Sequence, residues 1–348
     1  MSLKTFFPIV LDSTQLESMN CPIRFFHNHV QHISEGGNVH LTAGRAFATG
    51  IQVVREQFYN HKQSMSDSIS AGIEALYAEY GDNYFEWNPE KSADRMALAL
   101  EGYFNEFDLR YDDVQPLQLE SGNYSIEYSL MEEIVDTNGE PILHPILKVP
   151  LLFSGRLDLL ATYAGKSFIV DEKTTGSYFN ANWAKQWETR GQFTAYCWLG
   201  KQSKYEELKR LNGAIIRGIS LPKSTAKDEE KRLAFYNNID NIKFNYTLTN
   251  RNDFEVACWH RDMVRKVQTM VKAYTQYIDN GSKNPELFFA GNWGGECTSY
   301  NGCYYQETCK SPNGNHFLES KEQHIWRPEL HDRQPLQQFL IEMGLEAE

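Results

Sequence analysis

The chain has 348 residues, 41% hydrophobic and 23% charged. This is the make-up of a globular protein of one large or two ordinary domains and excludes a fibrous or disordered chain. Its net charge of −12 does not advertise a nucleic-acid binder, so any phosphate contact needs a local basic groove on an acidic body.

In chain order, residues 1–110 are expected to be helical. Ser13 is a suitable N-cap for a helix running through Cys21 to about Ser34, with Pro22 making its first part irregular. Leu41 to Tyr59 carries Phe47, Ile51, Val54 and Phe58 at helical spacing, and Ile69 to Tyr80 and Ala93 to Phe107 repeat that pattern. The period then changes to that of strands at Leu117–Leu119, Tyr124–Leu130, Ile146–Phe153, Arg156–Tyr163 and Phe168–Lys173. Asn138-Gly139 and Ala164-Gly165 mark turns.

A helix is predicted from about Ala181 to Leu199, strands at Ala214–Leu221 and Ile242–Leu248, and a long helix from about Phe254 to Ile278. Gly291 to Cys309 has no period and reads as a loop held by ligation, and Pro335 to Met343 is a last candidate helix. The order predicts an α/β core, a central sheet flanked by helices. Residues 1–110 form a helical N-terminal region, 111–280 the core, and 281–348 a cysteine loop and tail, all within one unit. Lys201 to Arg232, with Lys204, Lys209, Arg210, Arg217, Lys223, Lys227 and Lys231 between them, is a candidate basic stretch, or else a solvated helix face and loop. The longest apolar run near the N-terminus, Phe6 to Leu11, contains a proline and is far too short to span a bilayer. No secretory pattern accompanies it, so a cytoplasmic location without membrane attachment is expected.

Arg156–Tyr163 and Phe168–Lys173 read as a hairpin closed by the loop Ala164-Gly165-Lys166-Ser167, which sets Tyr163 opposite Phe168 and Asp158 opposite Lys173. Strand side chains alternate, so Asp158, Asp171 and Lys173 share a face, with the two acids diagonal neighbours roughly 7–8 Å apart. One hard cation, Mg²⁺ or Mn²⁺, can bridge such carboxylates, and a nearby lysine can orient water or stabilise a phosphorane anion. Glu172 points to the other face, leaving its backbone carbonyl as its contribution. The following helix carries Gln192 and Tyr196 one turn apart.

Of six cysteines, Cys297, Cys303 and Cys309 are evenly spaced and have one plausible distant partner, Cys21. Six cysteines in a chain of this size are not a disulfide scaffold, and four clustered thiolates suit a metal or cluster. Cys197 and Cys258 lie in helical patterns and read as core.

Gly155-x-x-Asp158, then Asp171-x-Lys173, then Gln192-x-x-x-Tyr196 resembles the PD-(D/E)XK nucleases of the RecB-like group. That group includes helicase–nuclease subunits, CRISPR-associated nucleases and phage recombination exonucleases. The resemblance implies a restriction-endonuclease-like fold in which Asp158 and Asp171 bind metal, Lys173 is catalytic, and Gln192 and Tyr196 line the DNA site. It implies a DNA nuclease of recombination or repair in a bacterial or phage-infected cell, with exonuclease action favoured over site-specific cleavage. No Walker A motif occurs, so unwinding would fall to a helicase or recombination partner.

The cysteine pattern is similar to the iron–sulfur subset of the group, which implies a [4Fe–4S] cluster on Cys21, Cys297, Cys303 and Cys309, with zinc as the rival occupant. One departure stands out. Many relatives carry a metal-binding histidine in a Gly-x-x-x-His arrangement, whereas Gly44 is followed at that spacing by Ala48, and His40 is too distant along a helix to replace it. This leaves a catalytically weak or inactive DNA- or partner-binding module as the alternative.

Overall fold

The change of period near residue 115 marks the passage from helices to a sheet. A computed structural model describes residues 6–33, 39–81, 89–119, 122–203, 205–298, 302–311 and 318; the candidate helix at Pro335 to Met343 and the basic-stretch residue Lys204 lie outside them. The elements run β1 (Val10–Leu11), α1 (Ser13–Ser18), α2 (Pro22–Phe25), α3 (Val39–Arg55), α4 (Met65–Tyr80), α5 (Ala93–Glu106), β2 (Gln115–Pro116), β3 (Ile126–Glu133), β4 (Leu152–Tyr163) and β5 (Lys166–Thr175). They continue with α6 (Ala181–Glu188), α7 (Gly191–Gln202), α8 (Glu206–Lys209), β6 (Leu211–Ser220), α9 (Glu229–Tyr236), β7 (Lys243–Asn250), α10 (Asp253–Asp279), α11 (Gly295–Thr298) and α12 (Gln306–Lys310). The chain is the expected α/β protein, and none of its described helices is long and apolar enough to cross a membrane.

Two compact units share the chain, one of residues 1–36, 129–155 and 253–348, the other of 37–128 and 156–252. In the second unit the sheet order is β4-β5-β6-β7, antiparallel, parallel, antiparallel, with β2 antiparallel along β4. The parallel β5–β6 pair requires a crossover, which α6 to α8 supply.

Helices α3, α4 and α5 cover one face. Phe47, Ile51, Val54, Leu100 and Tyr103 form a continuous core with Ile219 and Leu221. Ser64 and Ser92 cap α4 and α5 by accepting from the amides of Asp67 and Arg95. Helices α3 and α4 meet at glycines, since a Cβ at Gly72 would lie 2.7 Å from the Gly50 carbonyl oxygen and 2.4 Å from Val54 Cγ2. The opposite face carries α6, where a Cβ on Gly218 of β6 would collide with Phe179 and Trp183 at 2.6 and 2.7 Å.

In the other unit, β1 pairs in parallel with Leu152 and Phe153 at the start of β4. His144 bonds the Phe7 carbonyl at 2.8 Å and stacks on Phe6. Phe26 packs on Tyr277 of α10 and on Phe289.

Several boundaries differ from expectation. Asp12, not Ser13, caps the first helix, through a reciprocal capping box with Gln15. The helix expected through Cys21 to about Ser34 is interrupted: α1 ends at Ser18, Pro22 starts α2, and a π-helical turn follows over Phe26–Val30, while Ser34 lies outside the described residues. The strand expected at Ile146–Phe153 begins only at Leu152 and runs on without a break to Tyr163. The helix expected over Ala181–Leu199 is two, parted at Thr189 and Arg190. The cysteine segment, read as a loop, contains the short helices α11 and α12.

Candidate active site

The hairpin closes in two residues, not four. Tyr163 pairs with Lys166, and Ala164 and Gly165 take positive φ of 48° and 75°, as a type I′ turn requires. The register therefore moves by two residues from the expected one. Because two is the side-chain period, the facing of every residue survives. The last paired residues are Leu159 and Val170, so Asp158 and Asp171 are next in line opposite one another. Past that point β5 pairs only with β6, from Asp171 beside Ile216 to Thr175 beside Ser220.

The Asp158 carboxylate reaches across the end of the ladder, where Oδ2 lies 3.5 Å from the Glu172 amide nitrogen. The Lys173 ammonium lies 2.7 Å from Asp171 Oδ2, with side-chain exposures of 32% and 3%. Withdrawal from water, the neighbouring Asp171 and then Glu127 hold the Asp158 carboxyl well above the usual carboxylate range. Burial likewise raises Asp171, against the opposing pull of Lys173. Burial alone would lower Lys173, but the carboxylates of Asp171 and Asp158 outweigh it and hold the ammonium protonated. On α7, Gln192 Nε2 donates to the Tyr196 hydroxyl at 3.0 Å, so these two stand together as expected.

Glu172 faces the helical layer. Its carboxylate accepts from Arg55 Nη2 at 2.5 Å, Arg55 Nη1 at 3.2 Å and the Tyr103 hydroxyl at 2.6 Å. Arg217 of β6 donates to the same tyrosine at 3.3 Å and is ion-paired with Asp112. The charges of Arg55 hold Glu172 below its ordinary value although burial opposes this. Sequence reasoning missed Arg55 and Tyr103. The available signal was a lone cation in the apolar stripe of Phe47, Ile51, Val54 and Phe58. A second ion pair, Glu127 to Arg156 at 2.8 Å, flanks Asp158, and Glu127 takes a positive φ of 50°.

Among the described residues, three cations of the basic stretch are taken up by acidic partners. Arg217 is buried against Asp112, Lys209 pairs with Glu206, and Lys223 with Glu90. Lys201, Lys209, Arg217, and Lys231 with Arg232 lie on α7, α8, β6 and α9, while Arg210, Lys223 and Lys227 lie between elements. Ala48 is exposed on α3.

In the other unit, all four predicted cysteines line one cavity of about 50 Å³ together with Asn292, Trp293 and Tyr305. One water needs roughly 10–15 Å³, so the space suits a multi-atom group. Cys21 is the N-cap of α2 and accepts from the Asn292 amide at 3.4 Å; Cys303 N–H donates to the Cys297 carbonyl at 3.0 Å. None of the six cysteines forms a disulfide. Burial, then Cys21, Cys303 and Cys297, push the Cys309 thiol up to about 11. Four thiols lining one cavity repel as thiolates; a proton relieves that repulsion at Cys309, and a soft metal or cluster would relieve it by ligation, so the donor set fits such a group. Among the described residues, however, no group of three or more His, Cys, Asp or Glu side chains is closed enough to hold a metal ion as it stands. Cys197 is buried as expected, whereas Cys258 is only half-buried, facing Arg261.

No curated protein matches the chain. Among solved structures, one titled "Crystal structure of SSO0001" is 10% identical over 69% of this chain and 88% of its own, with a TM-score of 0.26, too low to carry argument. A family model described as the PD-(D/E)XK nuclease superfamily matches residues 14–310. That span contains both acids, the lysine, the Gln–Tyr pair and all four clustered cysteines, and over it the chain belongs to the PD-(D/E)XK nuclease superfamily.

Proposed function

We propose that the chain is a divalent-metal-dependent DNA exonuclease of recombination or repair. The observation that carries this reading is the convergence of Asp158 and Asp171 at the end of the β4–β5 ladder, with the Lys173 ammonium 2.7 Å from Asp171. Two carboxyls withdrawn from water beside each other favour a proton when no metal is bound, and a divalent cation between them would relieve the same repulsion.

Asp158, Asp171 and the Glu172 carbonyl would hold Mg²⁺ or Mn²⁺. The ion would supply an activated water and charge neutralisation at the scissile phosphate. Lys173 stays protonated and therefore serves to orient water and stabilise the phosphorane charge, not to take a proton. Gln192 and Tyr196, already hydrogen-bonded, present an amide and a phenol to the substrate strand. Hydrolysis breaks the phosphorus–oxygen bond of a terminal nucleotide. The partner that delivers such ends is a helicase or recombination protein.

The four thiols facing one cavity support a [4Fe–4S] cluster on Cys21, Cys297, Cys303 and Cys309, which would tie the start of α2 to the segment carrying α11 and α12. The exposed Ala48 at the position of the missing histidine supports the second reading, a weakly active DNA-binding module of the same fold.

Cleavage of 5′- and 3′-labelled single and double strands with Mg²⁺ or Mn²⁺, with Lys173→Ala as control, separates the two. Mononucleotides released from one end, lost in the control, support the exonuclease. DNA binding without metal-dependent loss of substrate supports the module, and internal cuts refute the exonuclease while retaining the nuclease.

A further inference from the structure

We propose that Arg55 and Tyr103 are positioning residues of the metal centre, gripping the Glu172 side chain from behind β5 so that Asp171, Lys173 and the Glu172 carbonyl are held toward the cation. The proposal rests on the nuclease reading above. Its starting point is a gap in the sheet. The β4–β5 ladder ends at Leu159 and Val170, so the segment Asp171–Lys173 is pinned on one side by β6 alone. On the β4 side, past the end of the ladder, Asp158 Oδ2 approaches the Glu172 amide at a long 3.5 Å. A strand segment held along one edge can twist, and a twist at Glu172 turns Asp171 and Lys173 away from Asp158.

Three hydrogen bonds remove that freedom. Arg55 Nη2 and Nη1 reach Glu172 Oε1 and Oε2 at 2.5 and 3.2 Å, and the Tyr103 hydroxyl reaches Oε1 at 2.6 Å. The side chains of Arg55 and Glu172 keep 1% and 4% exposure. A planar fork on a carboxylate fixes direction as well as distance. Tyr103 is tied in turn to Arg55 at 3.2 Å and to Arg217 at 3.3 Å, and Arg217 to Asp112. The network joins α3, α5, β5 and β6 and holds two guanidiniums against two carboxylates, so it is neutral and tolerable in the interior. Outer partners of this kind typically control metal affinity as strongly as some ligands do.

Replacing Arg55 risks leaving Glu172 buried without a cationic partner and the protein unfolded. The decisive variant is therefore Tyr103→Phe, which removes one hydroxyl and keeps the ring, with Glu172→Gln as a second. Mn²⁺ affinity of the intact protein is measured by calorimetry. The kcat and KM are measured on labelled DNA, well below the unfolding temperature. Positioning predicts Mn²⁺ binding weaker by about tenfold and kcat lowered similarly, with KM for DNA unchanged. Variants that unfold at lower temperature yet bind Mn²⁺ and turn over like the wild type would show the network to be a fold staple only, and would overturn the proposal. A wild-type protein that takes up no Mn²⁺ overturns the nuclease reading itself, and this inference with it. One that binds Mn²⁺ but does not cleave leaves the affinity comparison to decide.

Discussion

The Lys173 ammonium and the Asp171 carboxylate lie 2.7 Å apart on the same strand, with Asp171 almost wholly buried. That pair leaves the Asp158 carboxyl as the less compensated charge of the centre. Burial, then Asp171 and Glu127, raise its pKa against the pull of Lys173.

Asp158→Asn should therefore stabilise the metal-free protein while abolishing the stabilisation by Mg²⁺ or Mn²⁺. The sign follows from the direction of the shift. The folded pKa values of Asp158 and Asp171 are raised, so the folded state holds these protons more tightly. Their favourable contribution is complete below the ordinary Asp value of about 3.9 and is lost as pH rises through the raised values. Thermal unfolding of wild type and variant, compared across that range without metal, should diverge with increasing pH in favour of the variant. Parallel curves would remove the electrostatic account of the site.

Lys173→Ala should lower cleavage by about 10²–10³-fold, the usual loss for one transition-state donor, while DNA binding persists. It should also destabilise the protein by about 1–3 kcal/mol, between the values for exposed and buried pairs. The folded Lys173 value is raised, so this part of the stability is present at neutral pH and is lost only as pH climbs through that raised value. Retained cleavage would exclude Lys173 from the chemistry.

Serine at Cys21, Cys297, Cys303 or Cys309 should each lower the metal content and the unfolding temperature of anaerobically purified protein, whereas Cys197→Ser should leave the metal content intact. Iron with sulfide and visible charge-transfer absorbance identifies a cluster, and colourless protein containing zinc identifies the rival. Metal-free protein with all four thiols titratable would dismiss both.

The glycines of α3 and α4 give a paired test of packing. Gly72→Ala forces a methyl to within 2.7 Å of the Gly50 carbonyl oxygen and should cost about 1–3 kcal/mol. Gly44→Ala meets nothing within 4 Å and should gain about 0.5–1 kcal/mol from helix propensity. Equal effects on denaturant midpoints would contradict the close approach of the two helices.

Much of this was legible in the sequence because it depends on local period. The apolar spacing in α3 to α5 and the alternation in β4 and β5 announced themselves, and an even hairpin loop was enough to put Asp158, Asp171 and Lys173 on one face. The turn length was not legible, since Ala164-Gly165 closes as readily within a four-residue loop as alone until the register with Lys166 is seen. Arg217 and Lys223 read as phosphate contacts only because their acidic partners, Asp112 and Glu90, are remote in sequence.

The sequence by itself determined the superfamily and the residue types at the two candidate sites, because residue type and short-range spacing are properties of the chain alone. Only the tertiary structure decided that the four cysteines share one cavity and that Glu172 is gripped by Arg55 and Tyr103. Those relationships arise from apolar burial and charge pairing between segments far apart along the chain, which no local pattern records.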